Sequence, residues 1–241
     1  MSKLPSPLRR LSATLYWDIQ LQARNGFYYV GALMLLMRTV LGSQVPTVTL
    51  AWLFPAYILT NLAVNTFYFM GGLLLLEKEE GTLEAQVITP LRHTEYLASK
   101  IITLTLLGAV ENMAVVALTY AGEYRLAPLL AGSILMGTIF TLAGFLTVVR
   151  YDSINEYLLP SMLIIGLLSA PLLFYFELST SWLFCLHPMQ GGMILLKAAF
   201  QPVPIGQIMY AMAASVLWIG LLFQAGQRTF HRFVILKAGV H

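Results

Sequence analysis

Residues 39–76 read TVLGSQVPTVTLAWLFPAYILTNLAVNTFYFMGGLLLL and hold no charged side chain. A single helix of that length would run roughly 57 Å, nearly twice the ~30 Å hydrocarbon core of a bilayer. The run must therefore turn, and Gly42-Ser43-Gln44 with Pro46 supplies the turn. It divides into the end of one apolar helix, about Gly26 to Leu41, and a second, about Val48 to Leu76. Further apolar runs follow at about Ile101 to Tyr120, Ala127 to Val149, Leu158 to Phe176 and Ile205 to Gly226. The predicted fold class is all-α: a polytopic membrane protein with six transmembrane helices. All 241 residues form a single transmembrane domain.

Composition agrees. Of the residues 58% are hydrophobic and 10% charged, against about 25% charged in ordinary soluble domains. Fourteen basic and eleven acidic side chains cannot clothe a soluble fold of this size. Soluble, disordered and nucleic-acid-binding classes are excluded on that ground. One cysteine, Cys185, excludes a disulfide framework and a cysteine-based zinc site.

The first 25 residues lack the apolar core and cleavage site of a signal peptide. Ser6 can cap a helix, Pro7 suits its first turn, and Leu8, Leu11, Leu15 and Ile19 recur at helical spacing on one face. This predicts an amphipathic helix lying in the cytoplasmic interface, with Arg24-Asn25-Gly26 as the bend into the first span. With six spans, Lys3, Arg9, Arg10, Arg24, Lys78, Arg92, Lys100, Arg150, Arg228, Arg232 and Lys237 share one side. Only Arg125 and Lys197 fall on the other, with Arg38 inside span one. The positive-inside rule then makes both termini cytoplasmic. Between Glu177 and Pro204, prolines and glycines cut the apolar segment into pieces too short to cross. They read as short external re-entrant helices between spans five and six, supported by protein.

No GxxxxGK[ST], HExxH or GxSxG pattern occurs. His93, His187, His231 and His241 fall in separate segments, so no metal site is predicted. The chain is expected not to be an enzyme and to bind no cofactor directly.

The informative polar segment is residues 77–100, EKEEGTLEAQVITPLRHTEYLASK, which holds five of the eleven acids. A loop this polar, on a chain without a soluble domain, reads as a docking surface. Glu79-Glu80-Gly81-Thr82-Leu83-Glu84 followed by Thr89-Pro90-Leu91 resembles the signature loop of ABC type-2 exporter permeases. The closest resemblance is to the fluoroquinolone-export permease subgroup. It extends to Asn155-Glu156-Tyr157-Leu158, to Pro188 with Gln190, and to Arg228-Thr229-Phe230.

The resemblance implies a permease subunit of an ATP-driven exporter in the bacterial inner membrane. Such permeases work as dimers with separate soluble ABC ATPase subunits, which hold the ATP and Mg. It implies that Glu79, Glu80, Gly81, Thr82, Leu83 and Glu84 contact the ATPase, with Asp152, Asn155 and Glu156 as a second contact. The expected cargo is a small amphipathic or drug-like compound, moved outward. A second permease copy or a sister permease, and the lipid bilayer, complete the partners; nucleic acid is not among them. A non-transporting membrane scaffold for an ATPase and an ion-coupled secondary transporter stay open as alternatives.

Charges inside the bilayer need partners. Arg38 and Glu111 fall at similar depths in spans one and three, and their pairing is the expectation. Tyr57, Asn61 and Asn65 share a helical face at spacing four, with Tyr68 beyond. These six residues are the candidate translocation path. Ser133, Gly137 and Thr141 form a small-residue stripe that reads as helix packing.

Overall fold

The computed structural model describes residues 7–83, 93–179 and 181–235, and no strand occurs among them. The helices are α1 (Pro7–Arg24), α2 (Phe27–Gly42), α3 (Thr47–Leu62), α4 (Phe69–Glu79), α5 (His93–Thr119), α6 (Leu126–Val148), α7 (Ile154–Leu168), α8 (Pro171–Tyr175), α9 (Gln190–Phe200) and α10 (Ile205–Phe230). A π-helical turn, Ala63–Tyr68, joins α3 to α4 without a break. A short 3-10 turn, Trp182–Leu186, precedes α9.

Helix α6 is the centre of the bundle, packed by α3, α4, α5, α9 and α10. Its small residues explain how. Gly137 admits Thr105 and Leu62, and Gly144 lies against the Phe67 backbone. Ser133 and Thr141 are fully buried on the same helix, so the predicted stripe is a packing surface. The outward faces of α2, α7 and α10 carry exposed Leu33, Leu36, Leu159, Leu163, Val216 and Leu217. Such a surface suits hydrocarbon rather than water.

Five helices are long and apolar enough to cross a membrane: Thr47–Glu79, Thr94–Thr119, Leu126–Val148, Ile154–Tyr175 and Ile205–Phe233. The expected first span is the sixth apolar helix, Phe27–Gly42, and it has only 16 residues. At ~1.5 Å per residue it reaches roughly 24 Å, short of a full hydrocarbon core. It is confined by the turn at Asn25–Gly26 and by Ser43–Val45.

Helix α1 forms where the sequence places it, but its inward face is not the apolar one. Leu11 and Leu15 are half-buried, whereas Ile19 is exposed, as are Tyr16 and Trp17. Asp18 and Gln22 are buried instead, because α5 offers them polar partners. Arg10, Arg24, Lys78, Lys100 and Arg150 gather at this charged end of the bundle. Lys3, Arg92 and Lys237, also expected there, lie outside the described residues.

At the opposite end, Arg125 N–H donates to Ala199 O, and Phe54 stacks on Phe200. From there α9 runs back into the bundle, buried against α6 and α10 along Gln190–Ala199. With 11 residues it reaches about 16 Å, too short to cross. Gly191 packs on Ala211 O and Gly192 on Met136, which puts the start of α9 deep between its neighbours. His187 ties the end of α7 to the residue before α9. Its Nε2 lies 3.1 Å from Leu167 O, and its Nδ1 accepts from Met189 N–H.

Candidate functional site

Three helices meet at the charged end around one buried ammonium. Lys100 of α5 is fully buried and donates to Asp18 Oδ1 of α1 at 3.0 Å and to Glu77 Oε1 of α4 at 2.5 Å. The remaining carboxylate oxygens are also used. Ser99 Oγ donates to Asp18 Oδ2 and Tyr96 OH to Glu77 Oε2, each at 2.5 Å. The Lys100 ammonium also lies 4.7 Å from the Tyr96 ring centre. Each charge of this three-helix cluster therefore has a partner, as burial demands. One turn outward, Arg10 donates to both oxygens of Glu95 at 2.8–3.2 Å. Those hydrogen bonds raise the Arg10 pKa above its ordinary value against the opposing effect of burial.

The predicted docking loop leaves from this joint. Helix α4 ends at Glu79, and Gly81 takes φ +67°, a left-handed conformation that closes a helix at little cost only for glycine. Glu79, Glu80 and Gly81 are exposed, and Leu83 tucks back into the core. Thr82 Oγ1 donates to Glu77 O at 3.2 Å. Glu80 pairs with Arg24 at the end of α1 at 3.1 Å. A cleft of about 430 Å³ opens between α1 and this loop, lined by Trp17, Asp18, Arg24, Glu77, Glu80 and Thr82. Glu84 and Thr89-Pro90-Leu91 lie outside the described residues.

The second predicted contact lies beside the first. Asp152, Asn155 and Glu156 are exposed in the turn and first residues after α6. Ser153 caps α7 by accepting from Glu156 N–H. Lys78 Nζ reaches across to Val149 O at 2.9 Å, Tyr151 O at 2.6 Å and Asp152 Oδ1 at 3.2 Å. Two segments 71–74 positions apart in sequence thus share one surface.

Within the bundle the asparagines form a chain. Asn65 donates to Asn61 Oδ1 at 2.9 Å and to Glu111 Oε2. Asn61 donates to Asn112 Oδ1 at 2.7 Å, and Asn112 to Ser133 Oγ at 3.3 Å. The chain ties α3, the π turn, α5 and α6 together, with every member buried. Asn65 sits in the π turn itself, a distortion frequent at functional positions.

The expected Arg38–Glu111 pair does not form among the described residues. Arg38 instead lies over the Tyr57 ring, 5.1 Å from its centre, and donates to Tyr57 O at 3.3 Å. Glu111 Oε2 is taken by Asn65, and Oε1 rests against Gly31 of α2 with no hydrogen-bond partner among the described residues. Similar depth was insufficient because the two side chains leave their helices toward different neighbours. Asn61, Asn65 and Glu111 are brought together. Tyr57 belongs to a separate apolar cavity of about 100 Å³ with Leu50, Phe54 and Thr119. Tyr68, half-buried, packs edge-on to Phe67.

Residues 9–238 match the sequence profile of the Fluoroquinolones export permease protein family. The chain belongs to that family. Two curated relatives are fluoroquinolones export permease proteins of Mycobacterium tuberculosis, from strains CDC 1551 / Oshkosh and ATCC 25618 / H37Rv. Each is 29% identical over 236 residues, covering 97% of this chain and 100% of the relative. The protein is a multi-pass membrane permease, and five of its helices are long and apolar enough to cross a membrane.

Several residues of this candidate site escape a sequence reading. Asp18 looks like a solvated charge on an amphipathic helix, and Lys100 like a flanking interface anchor. Neither spacing nor composition joins positions 82 apart. Tyr157 was visible only as part of the Asn155-Glu156-Tyr157-Leu158 motif. In the fold it is buried against Phe67, and a side chain at Gly71 would strike its ring.

Proposed function

We propose that this permease is the membrane subunit of an ATP-driven ABC exporter. It works as a dimer with separate ATPase subunits and moves an amphipathic or drug-like compound out of a bacterial cell. The single observation that carries this reading is the shared surface at the charged end. Glu79, Glu80 and Gly81 stand exposed beside Asp152, Asn155 and Glu156. Both segments lie at the ends of long apolar helices, so a push on either acts on the bundle. That the relatives are fluoroquinolones export permease proteins supports the direction and the cargo class.

In this reading the charged end faces the cytoplasm, with both termini there. Helix α2 is the sixth crossing, completed by its flanks. Helix α1 lies in the interface with Tyr16, Trp17 and Ile19 toward lipid, which matches their exposure. The 3-10 turn and α9 dip in from the outer face. ATP and Mg belong to the partner chain. Arg38, Tyr57, Asn61, Asn65, Tyr68 and Glu111 flank the route of the cargo.

The test is purification in mild detergent from the native membrane, with co-purifying proteins assayed for ATP hydrolysis. A near-equimolar ATPase, lost on Glu80→Ala with Glu84→Ala, is the expected result. An ATPase that binds without export of any compound tried would favour a scaffold. A second reading, an ion-coupled carrier, has one observation behind it: the buried Glu111 with an unbonded oxygen. No ATPase in any detergent, with export sensitive to Glu111→Gln, would favour that carrier.

A further inference from the structure

We infer that Lys78 is a positioning residue that locks the two cytoplasmic contact segments into one rigid platform. The inference rests on the ATPase-docking role proposed above. Its geometry stands by itself. A lysine ammonium has three N–H donors. Lys78 meets three oxygens, Val149 O, Tyr151 O and Asp152 Oδ1, all within 3.2 Å. Two of the three are backbone carbonyls just past the end of α6, where helix carbonyls lack intrahelical partners and the dipole favours a cation. Lys78 therefore caps α6 from another helix. Its side chain is only 17% exposed, so water does not readily replace it.

The neighbouring residue points the other way. Glu77 binds Lys100 and Tyr96 of α5, and through Lys100 it reaches Asp18 of α1. Two consecutive residues thus anchor the end of α4 to both flanks of the bundle. The docking loop begins immediately after them, at Glu79. Force applied to Glu79–Leu83 is then delivered at once to the turn ahead of α7 and to α1 and α5. Without Lys78, the first contact could move while Asp152–Glu156 stayed behind.

The experiment uses the full chain with its co-purified ATPase. Lys78→Met should leave ATPase binding and basal hydrolysis in place but reduce export per ATP at least several-fold. Amide exchange over residues 151–157 should quicken about tenfold, as a segment that has lost a local anchor opens more often. Rescue separates the ammonium from general packing. Cys185 is the single cysteine, so Cys185→Ala with Lys78→Cys offers one thiol for aminoethylation, which rebuilds a lysine-length amine. Restored export and slowed exchange are expected after alkylation. Unchanged exchange in Lys78→Met, or no recovery after aminoethylation, would overturn the inference. If the parent protein brings down no ATPase, the docking reading fails. The exchange measurement and its rescue still decide whether Lys78 positions the turn.

Discussion

The Lys100 ammonium and the Asp18 carboxylate lie 3.0 Å apart, both buried, although 82 positions separate them. Glu77 completes the group, so one ammonium serves two carboxylates at the meeting point of α1, α4 and α5. Breaking one partner of a buried ionic group leaves the others uncompensated.

Lys100→Met should therefore lower stability by about 3–5 kcal/mol. The neutral triple variant Asp18→Asn, Glu77→Gln, Lys100→Met should recover most of that loss, because no charge is stranded. Thermal unfolding of the detergent-solubilised protein compares the two. Equal melting of the single and triple variants would show that charge pairing is not what holds this joint.

Gly31 allows α2 to close over Glu111, whose Oε1 fills the space a side chain would need. Gly31→Ala should cost roughly 1–3 kcal/mol by forcing the helices apart. Glu111→Asp in the same chain shortens the acid by one methylene and should relieve the clash. A melting temperature for the double variant no higher than for Gly31→Ala would reject this close approach.

The buried asparagine chain makes its own prediction. Asn61→Ala, and Asn65→Ala made together with Glu111→Gln so that no carboxylate is stranded, remove hydrogen bonds worth about 0.6 kcal/mol each, at most ~1.7, so the fold should survive. Export should nonetheless fall if these side chains flank the cargo route. Transport of every tested compound at the parental rate, with the protein present at parental abundance, would remove the route from α3.

The two ion pairs on α1 should differ in weight. Arg24 and Glu80 are exposed, and such pairs contribute about 0–1 kcal/mol and fade with salt. Arg24→Ala should barely shift the melting temperature in high salt. Arg10 grips Glu95 with several hydrogen bonds in a part-buried setting, so Arg10→Ala should lower it clearly at any salt. Parallel melts at low and high salt check the ranking.

The sequence by itself determined that this chain is an all-helical membrane protein. Apolar runs such as 127–149 and 205–226 are long enough that nothing else could bury them, and helix α6 (Leu126–Val148) and helix α10 (Ile205–Phe230) fall where they predict. Local chemistry also sufficed for the bend at Gly26, because turns and helix ends are encoded within a few residues. Only the tertiary structure decided which buried charges meet. Depth along a helix can be counted from sequence, but the direction in which a side chain leaves depends on rotation and on a π turn that shifts the face after Leu62. That is why Arg38 turned to Tyr57 while Glu111 met Asn65. It is also why Asp18, on a helix read as merely amphipathic, turned inward to Lys100. A buried ionic group needs a partner within hydrogen-bonding reach, and only the folded chain says which residue supplies it.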